Sequence, residues 1–369
     1  MVKVLYDYQH FSEQRYGGIT RYFANIISEI HHTADIECEV ATLYTNNYYI
    51  KDIPLPFKSG LVKKLLSKKN KREIKWNRAY SKYLIKRGNY DVFHPTYYHP
   101  YFLPYIKKPF VVTVHDMIHE RFPEAFLTDD IVSGYKRHVV VKADKVIAIS
   151  NSTKNDLIEL LNIPEDRIEV IYHGVNIKEF SPVKVPRTLD IPDSFILYVG
   201  SRDIYKNFNR LAEALVPIFR QHDNMYLVCT GGMPFSKADI KFLTDIDIIH
   251  RCIRLSVTDD ELTELYQHAK AFVFPSLYEG FGFPILEAFQ NSCPVLCSNT
   301  SSFPEVGGDA VKYFDPENVN DISDAVLSVL VDDELKNSLV EAGKKRLQLF
   351  PLQKCIDKTI SLYHQLAGR

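Results

Sequence analysis

Short runs of Val, Ile, Leu and Phe recur along this 369-residue chain, each followed by a longer stretch whose apolar residues return every three or four positions. A continuous run of four to six apolar residues suits a strand buried on both faces, and a period of about 3.6 suits a helix packed over it. In the first half such strands fall at 3–6, 36–43, 92–94, 110–114, 145–149 and 169–171. A second series falls at 195–200, 225–229, 253–255, 271–274, 295–297 and 311–314. The alternation predicts an α/β protein made of two doubly wound parallel-sheet domains. Between the series, residues 180–193 carry three prolines in a polar context and read as a linker. That places an N-terminal domain at 1–182 and a C-terminal domain at 190–350. A last helix follows Phe350-Pro351, and its span is 352–369 with the chain end.

The densest chemistry lies at 277–297, Leu-Tyr-Glu-Gly-Phe-Gly-Phe-Pro-Ile-Leu-Glu-Ala-Phe-Gln-Asn-Ser-Cys-Pro-Val-Leu-Cys. The apolar run before it, Ala271-Phe-Val-Phe-Pro275, reads as a buried strand, and Pro284 suits the first turn of a helix starting near Phe283. Gly280 and Gly282 let the backbone approach a ligand closely, and free N–H groups at the helix start favour an anion. Strand, glycine turn and helix thus put a phosphate-sized anion at the carboxyl end of a strand, where open α/β sheets bind ligands. Glu279 and Glu287 bracket this turn. Both facing phosphate would be repulsive. The better assignment has Glu287, in the first helical turn, accept hydrogen bonds from paired sugar hydroxyls, while Glu279 orients the group being transferred. Two acids merely stabilised by a helix dipole are the plainer alternative.

With this element followed by the strand of Cys293-Pro-Val-Leu-Cys297, the chain resembles the retaining GT-B glycosyltransferases of family 4, also called glycosyl transferases group 1. The resemblance covers essentially the whole chain and is most specific from Val170 onward. It implies two Rossmann-like domains facing across a cleft, with the last helix packing back on the first domain. It also implies a nucleotide diphosphate sugar as donor, and front-face departure of the diphosphate with retained anomeric configuration. No cofactor and no metal are expected.

Other motifs take their roles from the same likeness. In Val199-Gly200-Ser201-Arg202-Asp203-Ile204-Tyr205-Lys206-Asn207, Arg202 and Lys206 lie just past a strand end, where fixed cations hold a diphosphate and stabilise its departure. Gly17-Gly18, opening an amphipathic helix, faces the donor phosphates in the family; as residues alone they are also compatible with a simple turn. They do not form the G-x-G-x-x-G fingerprint, which argues against a dinucleotide oxidoreductase. Thr230-Gly231-Gly232 lines the nucleotide, and the turn around Arg254, Leu255 and Ser256 contacts the base. Phe281 belongs to the same donor loop. His115, after the strand in Thr113-Val-His-Asp-Met117, matches the family histidine that approaches the transferred sugar, although a lone histidine there is often structural. Ile149-Ser-Asn-Ser-Thr-Lys154 reads as a capped helix start with several candidate caps, a face on the cleft being the alternative, and His173 and Asn176 read as structural. The sequence around His115-Asp116-Met117-Ile118 looks closest to bacterial enzymes of O-antigen or capsule synthesis, mannosyltransferases among them, which favours GDP-mannose, with UDP-sugars as the alternative donors. Rival readings are a nucleotide-sugar epimerase of the same architecture and a catalytically dead carbohydrate-binding protein.

Composition narrows the setting. A net charge of −1 gives no general attraction to nucleic acid, and the six cysteines are scattered without metal-ligand spacing, as free thiols in a reducing compartment. The N-terminus enters a strand directly, and no apolar run reaches membrane-spanning length, so a cytoplasmic protein, peripheral at most, is expected. Residues 58–87 stand apart: twelve of the thirty are Lys or Arg, against the single acid Glu73. Lys63, Lys64, Lys68, Lys69 and Trp76 there read as an amphipathic basic face for anionic lipid, which would suit a lipid-linked acceptor. The alternative is a solvated face with apolar anchors.

Overall fold

The computed structural model describes residues 1–51, 53, 70–126, 130–177, 180 and 185–368, with the side chains of Asn70 and Lys71 left aside. The chain divides into two compact units, Met1–His173 with Leu352–Arg369, and Gly174–Pro351.

In unit 1, β1 (Val2–Tyr6) lies between β2 (Ile36–Val40) and β3 (Val92–His94), all parallel. A second parallel row, β4 (Val111–Val114), β5 (Lys145–Ala148) and β6 (Ile168–Val170), joins it through one bridge between Phe93 and Phe110. Strand β2 is shorter than its apolar run suggests. The amides of Leu43 and Tyr44 leave the ladder and donate to Asn77 Oδ1 at 2.9 and 3.3 Å. Helix Gly18–Ile30 buries Tyr22, Phe23, Ile26, Ile27 and Ile30, at helical spacing, over β1. The last helix, Leu352–Leu366, joins the same core through Cys355, Ile356, Leu362 and Tyr363. Its Tyr363 hydroxyl meets Tyr6 OH and His94 Nδ1, each at 2.7 Å, so the buried polar tips are all satisfied.

Unit 2 is a six-stranded parallel sheet of order β12-β11-β10-β7-β8-β9. The strands are β7 (Ser194–Val199), β8 (Met225–Thr230), β9 (Cys252–Leu255), β10 (Ala271–Phe274), β11 (Val295–Ser298) and β12 (Lys312–Phe314). Helices Phe208–Gln221 and Val319–Val331 bury Leu211, Leu215, Ile218, Ile322, Val326 and Val329 against it. Each such side chain contributes about 1.5–3 kcal/mol of burial. From β7 the order runs outward to β8 and β9 on one side and to β10, β11 and β12 on the other. The reversal between β7 and β10 opens a crevice at their carboxyl ends, the position at which sheets of this order take ligands.

Candidate active site

The loops that leave β7 and β10 meet at this reversal. Leu277 N donates to Tyr205 O at 2.7 Å, fastening one loop to the other. Asn207, buried and in the left-handed region at φ 57°, donates from Nδ2 to Pro275 O and Pro316 O at 3.1 and 2.7 Å. On this frame Lys206 Nζ sits 2.5 Å from Glu279 Oε1, the two side chains 16% and 13% exposed. Ser276 Oγ donates to the same carboxylate oxygen at 2.8 Å, and Glu279 N donates to Ser301 Oγ at 3.1 Å. Ser302 Oγ donates to Glu279 O and Phe281 O at 3.0 and 2.8 Å, fixing the turn from behind.

Helix Phe283–Gln290 begins where the sequence places it, with Gly282 as its N-cap at φ 101° and no side-chain cap. A Cβ on Gly282 would also meet the Phe303 ring at 3.1 Å, so glycine is required by conformation and by space. Glu287 is not in the first helical turn: it is the fifth residue, one turn further on. The dipole at the helix start therefore gives little account of it. Its partner is the hydroxyl of buried Tyr266, which donates to Glu287 Oε2 at 3.2 Å. Burial, and then the Glu287 charge, push the Tyr266 hydroxyl well above its ordinary pKa, so it stays a donor.

Strand β8 is followed by Gly231 and Gly232, at φ 83° and 62°. A Cβ on Gly232 would lie 2.8 Å from Ser201 Cα, so the β7 and β8 loops can touch there only through glycine. Arg254 braces the turn, Nη2 donating to Gly232 O at 2.6 Å and Nη1 to Ser256 Oγ at 2.5 Å. Leu255 closes β9 beside it.

Arg202 is turned away from the Lys206–Glu279 pair. Only 6% exposed, its side chain lies over the Phe235 ring at 5.0 Å, with Nε 3.3 Å from Asp239 Oδ2 and Nη2 donating to Pro234 O at 3.0 Å and to Met233 O. Burial pulls the Asp239 carboxyl upward, but bonds from Ser236 and Arg202 outweigh it and leave the pKa lowered. Nη1 of Arg202 is buried and has no hydrogen-bond partner among the described residues.

Unit 1 presents a different set of groups. At its own reversal, between β1 and β3, Asp7 fills the crevice. It accepts from Thr96 N and Oγ1 at 2.8 and 2.7 Å, Gln9 Nε2 at 2.7 Å and Tyr101 OH at 3.1 Å. His115 follows β4, with its ring stacked on His173 (centroids 5.8 Å, 14° between planes) and edge-on to Tyr22 at 5.6 Å. Both of its ring nitrogens are buried without a partner among the described residues, and so are those of His10, which leans on Tyr97 at 4.1 Å. Burial first, then neighbouring His173, His10, His94 and Lys136, keep His115 neutral. The turn after His115 is held by Lys136, 1% exposed, whose Nζ donates to Asp116 O at 2.9 Å and Glu120 Oε2 at 2.8 Å. Helix Gly18–Ile30 starts with Gly17 as N-cap and no side-chain cap. A Cβ on Gly18 would meet nothing within 4 Å, so packing among the described residues does not demand glycine there.

The motifs therefore converge in two places. Lys206, Glu279, Gly280, Phe281 and Gly282 belong to one turn system in unit 2, with Gly231, Leu255 and Glu287 on the adjoining strand ends and helix. Gly17, Gly18 and His115 belong to unit 1. The basic residues Lys63, Lys64, Lys68 and Lys69 lie outside the described residues, whereas Trp76, on helix Asn70–Arg87, is 59% exposed. Asn207, Ser302, Tyr266, Lys136 and His10 carry no signature in the sequence, because their partners lie far along the chain; Ser276, only three residues before Glu279, belongs to no motif singled out there. Among the described residues no group of three or more His, Cys, Asp or Glu is placed to hold a metal ion, and no helix is long and apolar enough to cross a membrane.

Two family profiles match the chain in tandem: glycosyltransferase family 4 over residues 16–179, and glycosyl transferases group 1 over 185–346. O-antigen chain mannosyltransferase B of Escherichia coli is 30% identical over 278 residues, 72% of this chain and 73% of that protein. The O-antigen chain mannosyltransferase RfbU of Salmonella typhimurium is 24% identical over 322 residues, 85% of this chain and 87% of that one. Among solved structures, a sucrose-phosphate synthase from Thermosynechococcus elongatus matches with a TM-score of 0.71 at 18% identity, covering 100% of this chain and 99% of its own. HepE from Anabaena in complex with UDP matches at 0.71 and 16%, covering 99% and 100%. At such identities these two structures speak to the fold alone, which is GT-B. The chain belongs to the family 4, or group 1, glycosyl transferases, and it is a glycosyltransferase of GT-B fold.

Proposed function

We propose that the chain transfers mannose, with retained anomeric configuration and without a metal ion, from GDP-mannose to a glycan or lipid-linked glycan of a bacterial surface polysaccharide. The observation that carries this reading is the Lys206–Glu279 pair at 2.5 Å, set at the β7–β10 reversal beside the uncapped start of helix Phe283–Gln290. The names of the Escherichia coli and Salmonella relatives supply the sugar and the setting.

In this mechanism Lys206 neutralises charge on the departing diphosphate, and the backbone at Gly280–Gly282 receives its oxygens. Before the donor arrives, Glu279 holds the ammonium in place. When diphosphate takes over the ammonium, the carboxylate keeps its bond from Ser276 and is released to orient the transferred sugar. Glu287, aimed by Tyr266, accepts from the paired ribose hydroxyls. Arg202 contributes a second cation once its guanidinium leaves Asp239. The acceptor hydroxyl attacks from the face the diphosphate is leaving and passes its proton to the leaving phosphate oxygen. His115, neutral and unpartnered, offers a ring nitrogen to a sugar hydroxyl.

The protein acts in the cytoplasm, at the inner membrane surface. Helix Asn70–Arg87 supports that part of the proposal: Arg72, Lys75, Trp76, Tyr83 and Lys86 are all exposed, at spacings that share one helix face. A thermal-shift panel of nucleotide sugars tests the donor. At a hundredfold excess over its Kd, a true ligand stabilises the native state by about 2.7 kcal/mol. GDP-mannose should give the largest shift in the panel; a larger shift from a UDP-sugar would reassign the donor.

A further inference from the structure

Tyr16 and Tyr48 are 55% and 49% exposed, and no other large hydrophobic side chain among described residues 2–53 is comparably open. Their rings lie 5.2 Å apart, 32° between planes, forming a shallow two-ring floor. Tyr49, half-buried against the unit 1 core, stands edge-on to both, at 6.5 Å and 5.5 Å. The floor is rigid, because its two loops are laced together: Tyr48 N donates to Arg15 O at 3.0 Å, Asn47 Nδ2 to Gln14 O at 2.7 Å, and Thr45 Oγ1 to Phe11 O. Arg15 and Lys51 lie over the rings, 5.3 Å from the Tyr16 centroid and 4.7 Å from the Tyr48 centroid. Tyr16 immediately precedes Gly17-Gly18 and the uncapped helix start.

Solvent-facing aromatic rings cost hydration unless something covers them. The occupant must offer a flat apolar face and a polar edge, since the rings end in hydroxyls and are flanked by cations. Two rings are far too little for a stable protein partner, which buries about 800 Å² per side. Among described residues 2–53 no large aliphatic side chain stands as exposed as these rings to enter a lipid layer. A pyranose fits: its C–H face stacks on the ring, and its hydroxyls reach the Tyr hydroxyls, Arg15 and Lys51.

We propose that Tyr16 and Tyr48 form a stacking subsite for a pyranose of the acceptor glycan. The subsite rests on the reading of this chain as a transferase to a glycan.

The test uses the full chain with α-linked mannotriose as probe and cellotriose as control. Saturation-transfer NMR should show mannotriose ring protons receiving magnetisation from tyrosine, in wild type and in Tyr16→Phe, with loss of the signal in Tyr16→Ala and Tyr48→Ala. In transfer assays each alanine variant should raise acceptor KM about tenfold, the scale of one favourable ring contact, with donor KM unchanged. The phenylalanine variants, which lose the hydroxyl and keep the ring, should raise acceptor KM much less than the alanine ones, which separates stacking from folding defects. Unchanged acceptor KM in both alanine variants overturns the subsite, even if sugar transfer itself is confirmed. So does loss of liposome binding with glycan binding intact, which would give the floor to a membrane. Equal signals from cellotriose would overturn the choice of glycan.

Discussion

Acid should open unit 1 before unit 2, because unit 1 alone carries buried histidines among the described residues. Burial holds His10 and His94 down to about 3 and His173 to about 4, and it keeps His115 well below its ordinary value. An unfolded histidine titrates near 6.5. The folded pKa is the lower one, so between the two values the unfolded chain binds protons the native state refuses. The stability these groups confer is therefore whole above about pH 6.5 and is lost as pH falls towards 4. Each costs about 1.4 kcal/mol per pH unit inside that window, about 5 for all four together. Three carboxyls of the same unit pull the other way: burial raises Asp7 and Glu13 above their usual range and Glu73 to about 7, so each regains stability on acidification. The four histidines outnumber these carboxyls, so the net effect of acid on unit 1 is loss of stability, set against the 5–15 kcal/mol that holds a domain folded. Hydrogen–deuterium exchange read by mass spectrometry at about pH 7, 6 and 5 follows this directly. Peptides of β1 and β4 should lose protection while β7 and β10 keep theirs. His10→Leu should flatten the dependence by one proton. Simultaneous loss in both units, or unit 2 opening first, would refute the reasoning.

Lys206→Ala should lower turnover about 10²-fold, the usual cost of removing one electrostatic stabiliser, in a radiolabelled transfer assay; normal turnover would place the diphosphate elsewhere. Glu287→Ala should weaken donor binding by about 1–3 kcal/mol in calorimetry, with Tyr266→Phe losing less, since the carboxylate itself remains. If helix Asn70–Arg87 and the basic residues before it meet a membrane, the protein should sediment with anionic liposomes, not neutral ones, and come off in high salt, each bound cation contributing about 1 kcal/mol. Changing Lys63, Lys64, Lys68 and Lys69 to Glu should abolish sedimentation and spare donor binding; indifference of wild type to anionic liposomes would make the stretch a solvated face.

Much of the fold was legible because a parallel sheet writes itself into sequence as uninterrupted apolar runs. Strand β4, buried at every position, is the plainest instance. The run at 36–43 misled at its end, since Asn77 captures the Leu43 and Tyr44 amides from thirty-odd residues away, and composition carries no sign of that. The turn at Gly280–Gly282 was legible for a local reason: Gly282 needs φ 101° just before Pro284, and both demands show in neighbouring residues. Arg202 was not. A strand-end arginine looks free for phosphate, but Phe235 and Asp239, more than thirty residues on, decide where its guanidinium rests. Glu287 was assigned to the first helical turn, although a helix starting at Phe283 makes it the fifth residue, and its Tyr266 partner sits on another helix. The buried Asp7–Thr96–Tyr101 set and the bare ring of His10 were beyond reach for the same reason, being contacts across some ninety residues.

The central claim is retaining sugar transfer at the Lys206–Glu279 turn, and one NMR experiment tests it most directly. Wild type and Glu279→Gln are incubated with GDP-mannose carrying ¹³C at the anomeric carbon and a mannoside acceptor, in excess chelator, and the anomeric resonance is followed in time. The account requires an α-linked product from the α-linked donor, formed at full rate by wild type despite the chelator and severely slowed in the variant. A β-linked product, a free epimerised sugar, or undiminished transfer by Glu279→Gln would contradict it.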